Sequence, residues 1–133
     1  MIAAIADTHT AIWYLFNDER LSSAAGDFIE KAAAAGRQIG VSVISLAEVV
    51  YLTEKSRLPP IAYEDLIAAL TDPDHVLVGI PLTADIVATM PRVQREAVPD
   101  MPDRIVAATA VFFGVPVISR DGRIQASNVQ TVW

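Results

Sequence analysis

The chain has 133 residues, 53% of them hydrophobic, with no cysteine and a formal net charge of −6 at pH 7. Disulfide bonds and thiolate chemistry are therefore excluded, and the acidic balance argues against binding duplex DNA by broad neutralisation of its phosphates. No apolar run approaches the roughly 20 residues of a membrane span, and the length suits one compact domain over residues 1–133. Such a composition fits a cytoplasmic protein. It also predicts an exposed apolar surface that meets a partner or a second copy.

The first third of the sequence predicts a strand followed by two helices. Ile2–Ala6 is a short apolar run that ends before "DTHT", as a buried strand would. Apolar residues at helical spacing follow within residues 12–16. A cleaner apolar stripe runs from Leu21 to Ala32, with Ser22 or Ser23 in position to cap the helix at its N-terminus.

A second strand and helix are predicted next. Ile39–Ile44 is apolar and β-branched, which favours a strand. Ser45 then begins a helix that continues to about Lys55 in this interpretation. The following "RLPP" ends it, because proline lacks the backbone N–H that a helix interior uses.

The middle of the chain predicts a helix, a strand and a shorter helix. Apolar residues recur at helical spacing from Tyr63 to Leu70, and Val76–Leu82 is predicted to be a strand. Thr83 is the expected cap of a short helix that Pro91 ends. Residues 93–101 are predicted to be a loop or a further helical turn.

The last third is expected to contain a buried helix and two strands. Arg104–Phe113 is apolar nearly all round and rich in alanine, which indicates a helix packed closely on a sheet. Val115–Ser119 and Val129–Trp133 are predicted strands, and "RDGR" between them is predicted to be a turn. Strands thus alternate with helices along the chain, which predicts an α/β fold with three α/β/α layers and a central parallel sheet.

Five acidic residues fall at the same end of this predicted sheet. Asp7 follows the first strand, Glu48 lies on the first turn after the second, and Asp121 follows the strand ending at Ser119. Asp100 and Asp103 precede the buried helix, which begins on that side if the crossovers alternate normally. Ligands of open α/β sheets bind beyond the carboxyl ends of the strands, so we expect these acids to converge.

Each acid also has a purely local explanation, so one acid alone decides nothing. Their convergence is harder to explain locally, because separate helix caps and turns have no reason to meet. The local alternatives are an N-cap for Asp7, a Ser45–Glu48 capping box, an N-cap and a first-turn acid for Asp100 and Asp103, and a turn dipeptide for Asp121-Gly122.

Converging carboxylates repel one another, and a hard divalent cation removes that repulsion. Oxygen ligands without a cluster of histidine or cysteine fit Mg²⁺ or Mn²⁺ and disfavour zinc. Such an ion activates water and orients a phosphodiester. The sequence has no Walker A, G-x-G-x-x-G or G-x-S-x-G motif, and no Ser-His-Asp signature.

Four segments in order resemble the successive motifs of PIN-domain ribonucleases, and most of all the VapC-type toxins of bacterial toxin–antitoxin pairs. They are "IADTHTAIWYLF", "VSVISLAEVV", "PDMPDRIVAATA" and "VISRDGRI", and they span about Ile2 to Ile124. The resemblance implies a three-layer α/β/α PIN-like fold and metal-dependent hydrolysis of RNA phosphodiesters by a metal-activated water.

The resemblance also assigns residues to the site. Asp7, Glu48, Asp103 and Asp121 match the acidic quartet of the family, with Mg²⁺ or Mn²⁺ as the bound ion. An extra acid common in one branch of the family is matched by Asp100. In addition, Ser119 falls beside the metal site. Apart from the resemblance, Arg104 and Arg120 are candidates for holding phosphate because they lie next to the acids in the sequence. Salt bridges from these arginines to the neighbouring acids are the alternative.

The same resemblance implies three kinds of partner: an RNA substrate, a cognate antitoxin protein and a second copy of the chain in a homodimer. The antitoxin is expected in a groove from Trp13, Tyr14 and Phe16 to Tyr51 and Leu52. Two rival hypotheses stay open at this level. One is a non-catalytic module that only binds RNA or a partner, and the other is a phosphatase-like Mg²⁺ enzyme with its nucleophile in "DTHT".

Overall fold

A computed structural model describes every residue from 1 to 133. The first half of the chain forms β1 (Ile2–Ala6), α1 (Thr8–Leu15), α2 (Ser23–Ala34), β2 (Gln38–Ser42), α3 (Val43–Glu54) and α4 (Pro60–Thr71). The second half forms β3 (Leu77–Ile80), α5 (Ala84–Thr89), a 3₁₀ turn (Met90–Arg92), α6 (Met101–Phe113), β4 (Val117–Ile118), α7 (Gly122–Gln125) and β5 (Thr131–Val132). None of these helices is long and apolar enough to cross a membrane.

The five strands form one parallel sheet in the order β3-β2-β1-β4-β5. From β1 the chain moves outward through β2 to β3, and then returns to place β4 on the other side of β1. The strand order therefore reverses between β1 and β4. Parallel α/β sheets bind their ligands at such a reversal, outside the carboxyl ends of the strands.

Two hydrophobic cores lie on opposite faces of the sheet. Because successive strand residues point to opposite faces, Ala4 and Ala6 of β1 pack with residues of α1 to α4, whereas Ile5 packs with residues of α5 to α7. In α6, small buried residues such as Ala107 and Ala110 let the helix lie close to the sheet. The predicted α/β/α arrangement with a central parallel sheet is thus confirmed.

Several predicted boundaries are wrong by two or three residues. Helix α3 begins at Val43, not at Ser45, because Ser42 at the end of β2 already caps it by accepting the Ile44 N–H. The buried helix begins at Met101, earlier than the predicted Arg104, since its cap is Asp100. The segment "RDGR", predicted to be a turn, contains the start of α7.

Gly40 lies where the sheet leaves no room for a side chain. A β-carbon built on Gly40 would lie 2.7 Å from Ile5 Cδ1 and 2.9 Å from Ile80 Cγ1, side chains of the two neighbouring strands. We therefore expect Gly40→Ala to lower the free energy of unfolding by about 1–3 kcal/mol through overpacking, as measured by urea denaturation. Gly79→Ala is the matched control, since its nearest contact is an ordinary 3.9 Å. Equal stability of the two variants would contradict this explanation.

Candidate active site

The carboxyl ends of β1, β2 and β4 open into a cavity of about 450 Å³. Five carboxylates line this cavity, contributed by four separate segments of the chain: Asp7, Glu48, Asp100, Asp103 and Asp121. The other lining residues are Thr8, His9, Trp13, Arg20 and Arg120. The structure therefore brings all five predicted acids together.

Asp7 is held by two hydrogen bonds at the end of β1. Its Oδ1 accepts the Thr10 N–H at 2.9 Å and so caps α1, while its Oδ2 accepts a short 2.5 Å bond from the Ser119 hydroxyl. Ser119 Oγ in turn accepts the N–H of Asp121 at 3.0 Å. Ser119 thus ties β1 to the start of α7, and the capping role of Asp7 coexists with its place in the cavity.

Asp121 also has a local role. Its Oδ1 accepts the N–H groups of Arg123 and Ile124, which makes it the N-cap of α7. As with Asp7, one carboxylate is shared between a helix start and the cavity wall. A cap and a place in the wall are therefore compatible here.

Glu48 lies on the second turn of α3, one turn later than predicted. The predicted Ser45–Glu48 capping box is absent, because Ser42 is the cap and Ser45 is buried inside the helix. Thr8 Oγ1 lies 2.5 Å from Glu48 Oε1 and 2.9 Å from Ser45 Oγ. Since the single Thr8 proton goes to the charged carboxylate, we infer that the Ser45 hydroxyl donates to Thr8. This chain of hydroxyl groups orients Glu48.

Asp103 is the most perturbed acid of the cavity. It lies in the first turn of α6, where its N–H donates to Asp100 Oδ2 at 3.2 Å. Burial, together with the smaller effect of the negative charges of Asp100, Asp121, Glu48 and Asp7, raises the pKa of Asp103 from its usual value to about 7. The ionised form of Asp103 therefore lacks compensating positive charge in the protein itself.

The carboxylates have the chemistry of a divalent cation site, but they are not gathered around one point. No group of three or more acidic, histidine or cysteine side chains is close enough to hold a metal ion. Asp7 and Glu48 instead accept hydrogen bonds from the neighbouring hydroxyl groups. The donor set, which is rich in carboxylate oxygens and contains no thiolate, fits Mg²⁺ or Mn²⁺. A cation would also offset the repulsion that, after burial, raises the pKa of Asp103.

The structure does not bring Arg104 to the cavity. Its guanidinium Nε and Nη2 donate to the backbone carbonyls of Val93 and Met90, at 3.2 and 3.1 Å. The predicted phosphate contact of Arg104 is therefore not supported, and neither is the alternative of a salt bridge to its neighbouring acids. The one salt bridge in the chain joins Arg20 to Asp18.

Two cationic residues do line the cavity. Arg120 was predicted, and its guanidinium carbon lies 4.6 Å from the centre of the Trp13 ring. Arg20 was missed, because it lies in the loop between α1 and α2, outside every segment with recognisable motif spacing. The only signal for Arg20 in the sequence is Asp18, an acid two residues before it with which the arginine pairs.

Comparison with known proteins adds independent information. Residues 4–128 match the family model described as PIN domain. The chain is 30% identical over 141 aligned positions to a protein described as Ribonuclease VapC22 from Mycobacterium tuberculosis, with 100% of both chains covered.

Two solved structures share the fold. One is VapBC2 from Rickettsia felis bound to a DNA fragment from its promoter, with a TM-score of 0.70, 17% identity and coverage of 98% of this chain and 97% of that one. The other is a toxin–antitoxin complex from Klebsiella pneumoniae, with a TM-score of 0.59, 23% identity and coverage of 93% and 92%.

Proposed function

Since this chain belongs to the PIN-domain family, we propose that it is a metal-dependent endoribonuclease and the toxin of a toxin–antitoxin pair. The observation that carries the proposal is that five carboxylates line one cavity at the strand-order reversal of the sheet. The full-length similarity to a ribonuclease supports the choice of RNA as the substrate. We also propose that residues 1–133 act as a single nuclease domain in the cytoplasm.

In this proposal Asp7, Glu48, Asp103 and Asp121 hold Mg²⁺ or Mn²⁺, with Asp100 as a further ligand. The ion would lower the pKa of a water molecule and neutralise charge on the phosphate. The chain itself supplies positioning, which in such reactions decides whether the attack is in line.

Two hydroxyl groups do much of this positioning. Ser119 fixes Asp7 and the start of α7 relative to each other, and Thr8 fixes Glu48. Arg120 at the cavity wall is placed to contact the RNA phosphate. Arg104 is left out of the proposed substrate contacts because its guanidinium binds backbone carbonyls.

Removal of the metal is the direct test. Purified protein incubated with a labelled, structured RNA should cleave it with Mg²⁺ or Mn²⁺, and should lose essentially all cleavage in EDTA. Adding excess Mg²⁺ back to the EDTA sample should restore the activity. Cleavage that persists in EDTA would contradict the metal-dependent mechanism. Metal-dependent binding without cleavage would favour the non-catalytic module, and release of phosphate from a monoester would favour the phosphatase.

We further propose an antitoxin partner and a homodimer. The similarity in fold to two toxin–antitoxin complexes supports the first. Large apolar side chains remain exposed on α3 and at the end of α1, with Tyr51 at 54% and Phe16 at 37% of full exposure. Trp13 is removed from the predicted docking groove, because it is only 6% exposed and packs against Trp133.

A further inference from the structure

Trp13 lines the cavity, and two arginine side chains lie against its ring. Its ring lies 5.9 Å from the ring of Trp133, so the C-terminal residue packs against it. The guanidinium carbon of Arg20 lies 5.1 Å from the Trp13 ring centre, and that of Arg120 lies 4.6 Å away. Both distances are within the range of cation–π attraction, which is strongest for tryptophan. Trp13, Arg20 and Arg120 all line the acidic cavity.

The orientation of Arg20 is fixed by a second contact. Its Nε and Nη2 donate to the two carboxylate oxygens of Asp18 at 3.0 and 2.7 Å, and its backbone N–H donates to the same side chain at 2.9 Å. A guanidinium group has five N–H donors, so this side-on pair leaves further donors free. Arg20 is itself exposed.

Arg120 has no carboxylate partner at all. It is exposed, it follows Ser119 directly, and no acidic oxygen lies within salt-bridge distance of it. This is unexpected beside five carboxylates, because salt bridging to those acids was the simplest alternative for the residue. The aromatic ring, rather than an acid, holds this guanidinium, and its charge stays available to a ligand.

We propose that Trp13 is a positioning residue that holds Arg20 and Arg120 as a pair of phosphate-binding groups, which engage the RNA backbone at the acidic cavity. This inference rests on the proposed function and adds substrate contacts to it. Guanidinium groups recognise phosphate with fixed, planar geometry. A polyanion that enters an acidic cavity needs such groups in its lining, and these two are the arginine side chains that line it.

The test uses the salt dependence of RNA binding. A fluorescein-labelled single-stranded RNA is titrated with protein carrying Asp7→Asn, so that cleavage does not interfere, at several salt concentrations with Mg²⁺ present. Each lost phosphate contact should reduce the slope of log K against log[salt] by about 0.7. We therefore expect Arg20→Gln and Arg120→Gln each to reduce the slope by about that amount and to weaken binding roughly five- to tenfold at low salt.

Arg37→Gln is the matched control, since Arg37 is an exposed arginine directly before β2, at the amino end of that strand and outside the cavity. It should leave the slope unchanged. Slopes for Arg20→Gln and Arg120→Gln equal to that of the control would overturn the proposal. A change in melting temperature without a change in slope would do the same, because it would assign the two arginines a structural role only.

Trp13→Leu tests the positioning role separately. If the variant folds, its slope should fall as far as that of the double variant Arg20→Gln/Arg120→Gln, although both arginines are still present. An unchanged slope in folded Trp13→Leu would remove Trp13 from the proposal. If it does not fold, the two arginine variants decide alone. Failure of the wild-type protein to cleave RNA would count against the proposed function, whereas these slopes test only the phosphate contacts.

Discussion

Asp7→Asn is expected to reduce RNA cleavage in Mg²⁺ by roughly a thousandfold, equivalent to about 4 kcal/mol of transition-state stabilisation. Asp7 lies at the centre of the sheet edge, between Glu48, which follows β2, and Asp121, which follows β4. Asparagine has the same shape but lacks the negative charge that a divalent cation requires. The proposed ion would then lose a charged ligand.

The same substitution should leave the fold intact. Asn is as good an N-cap as Asp, so the bond from the Thr10 N–H can be kept. The Ser119 hydroxyl, which donates to Asp7 in the wild type, can accept a bond from the new amide group. The loss of activity is therefore predicted to come without a comparable loss of stability.

The measurement is the initial rate of cleavage of a labelled RNA, compared with circular dichroism and the melting temperature of each variant. Asp27→Asn is the control, because Asp27 is an exposed acid on α2 that does not line the cavity. It should cleave like the wild type. Cleavage by Asp7→Asn within about tenfold of the wild-type rate would remove Asp7 from the mechanism.

Asp103→Asn is expected to make the metal-free protein more stable at pH 8, although it removes a proposed ligand. Burial and the neighbouring acids raise the pKa of Asp103 from 3.8 to about 7 in the folded state. The unfolded chain releases this proton at lower pH, so between these two pKa values the folded state binds more protons. The stabilisation of the folded state that comes from the raised pKa of Asp103 is therefore complete below about pH 4, and it is lost as the pH rises through 7.

The size of the gain is limited by solvent. Asp103 is only half-buried, so screening reduces the full linkage value, and we expect Asp103→Asn to gain about 1–2 kcal/mol at pH 8. The N-terminus of α6 acts in the opposite direction, because its dipole favours a negative charge by about 0.3–1 kcal/mol. Burial and the repulsion among the acids together are the larger effect, and the net change should remain stabilising.

Thermal unfolding at pH 5 and pH 8, in EDTA and in Mg²⁺, measures these effects. Wild-type protein should lose stability between the two pH values in EDTA and recover it with Mg²⁺, whereas Asp103→Asn should change much less in both comparisons. Asp85→Asn is the matched control, since Asp85 is a first-turn acid of α5 outside the cavity. If Asp103→Asn is less stable than the wild type at pH 8 in EDTA, the electrostatic interpretation of the cavity is wrong.

Helix boundaries show how far local sequence patterns reach. Thr83 was predicted as a cap and is observed, and of the two predicted candidates Ser22 and Ser23 the structure uses Ser22. A hydroxyl before an apolar stripe satisfies backbone N–H groups within the next three residues. The cap of α3 was misplaced from Ser42 to Ser45, since both serines fit that local rule. The choice between them depends on where the β2 ladder to β3 ends, at Ser42 opposite Ile80, and this is a contact between distant parts of the chain.

The arginines show that contacts of long side chains cannot be predicted from sequence neighbours. Arg104 and Arg120 each adjoin an acid in the sequence and were predicted alike, yet one donates to two backbone carbonyls while the other lies over Trp13. Arg20 adjoins no predicted site residue and still lines the cavity. A long flexible side chain reaches several angstroms from its own backbone, so sequence neighbours do not determine its partners.

The sequence by itself determined the alternation of strands and helices and the candidate acids at the ends of the strands. Hydrophobic periodicity and capping are local, and they depend on residues a few positions apart. Only the tertiary structure decided that Asp7 and Asp121 share one cavity wall, because the order of the strands places β1 beside β4 across more than a hundred residues of chain. It also decided which arginines face the cavity, since that depends on side-chain packing around Trp13.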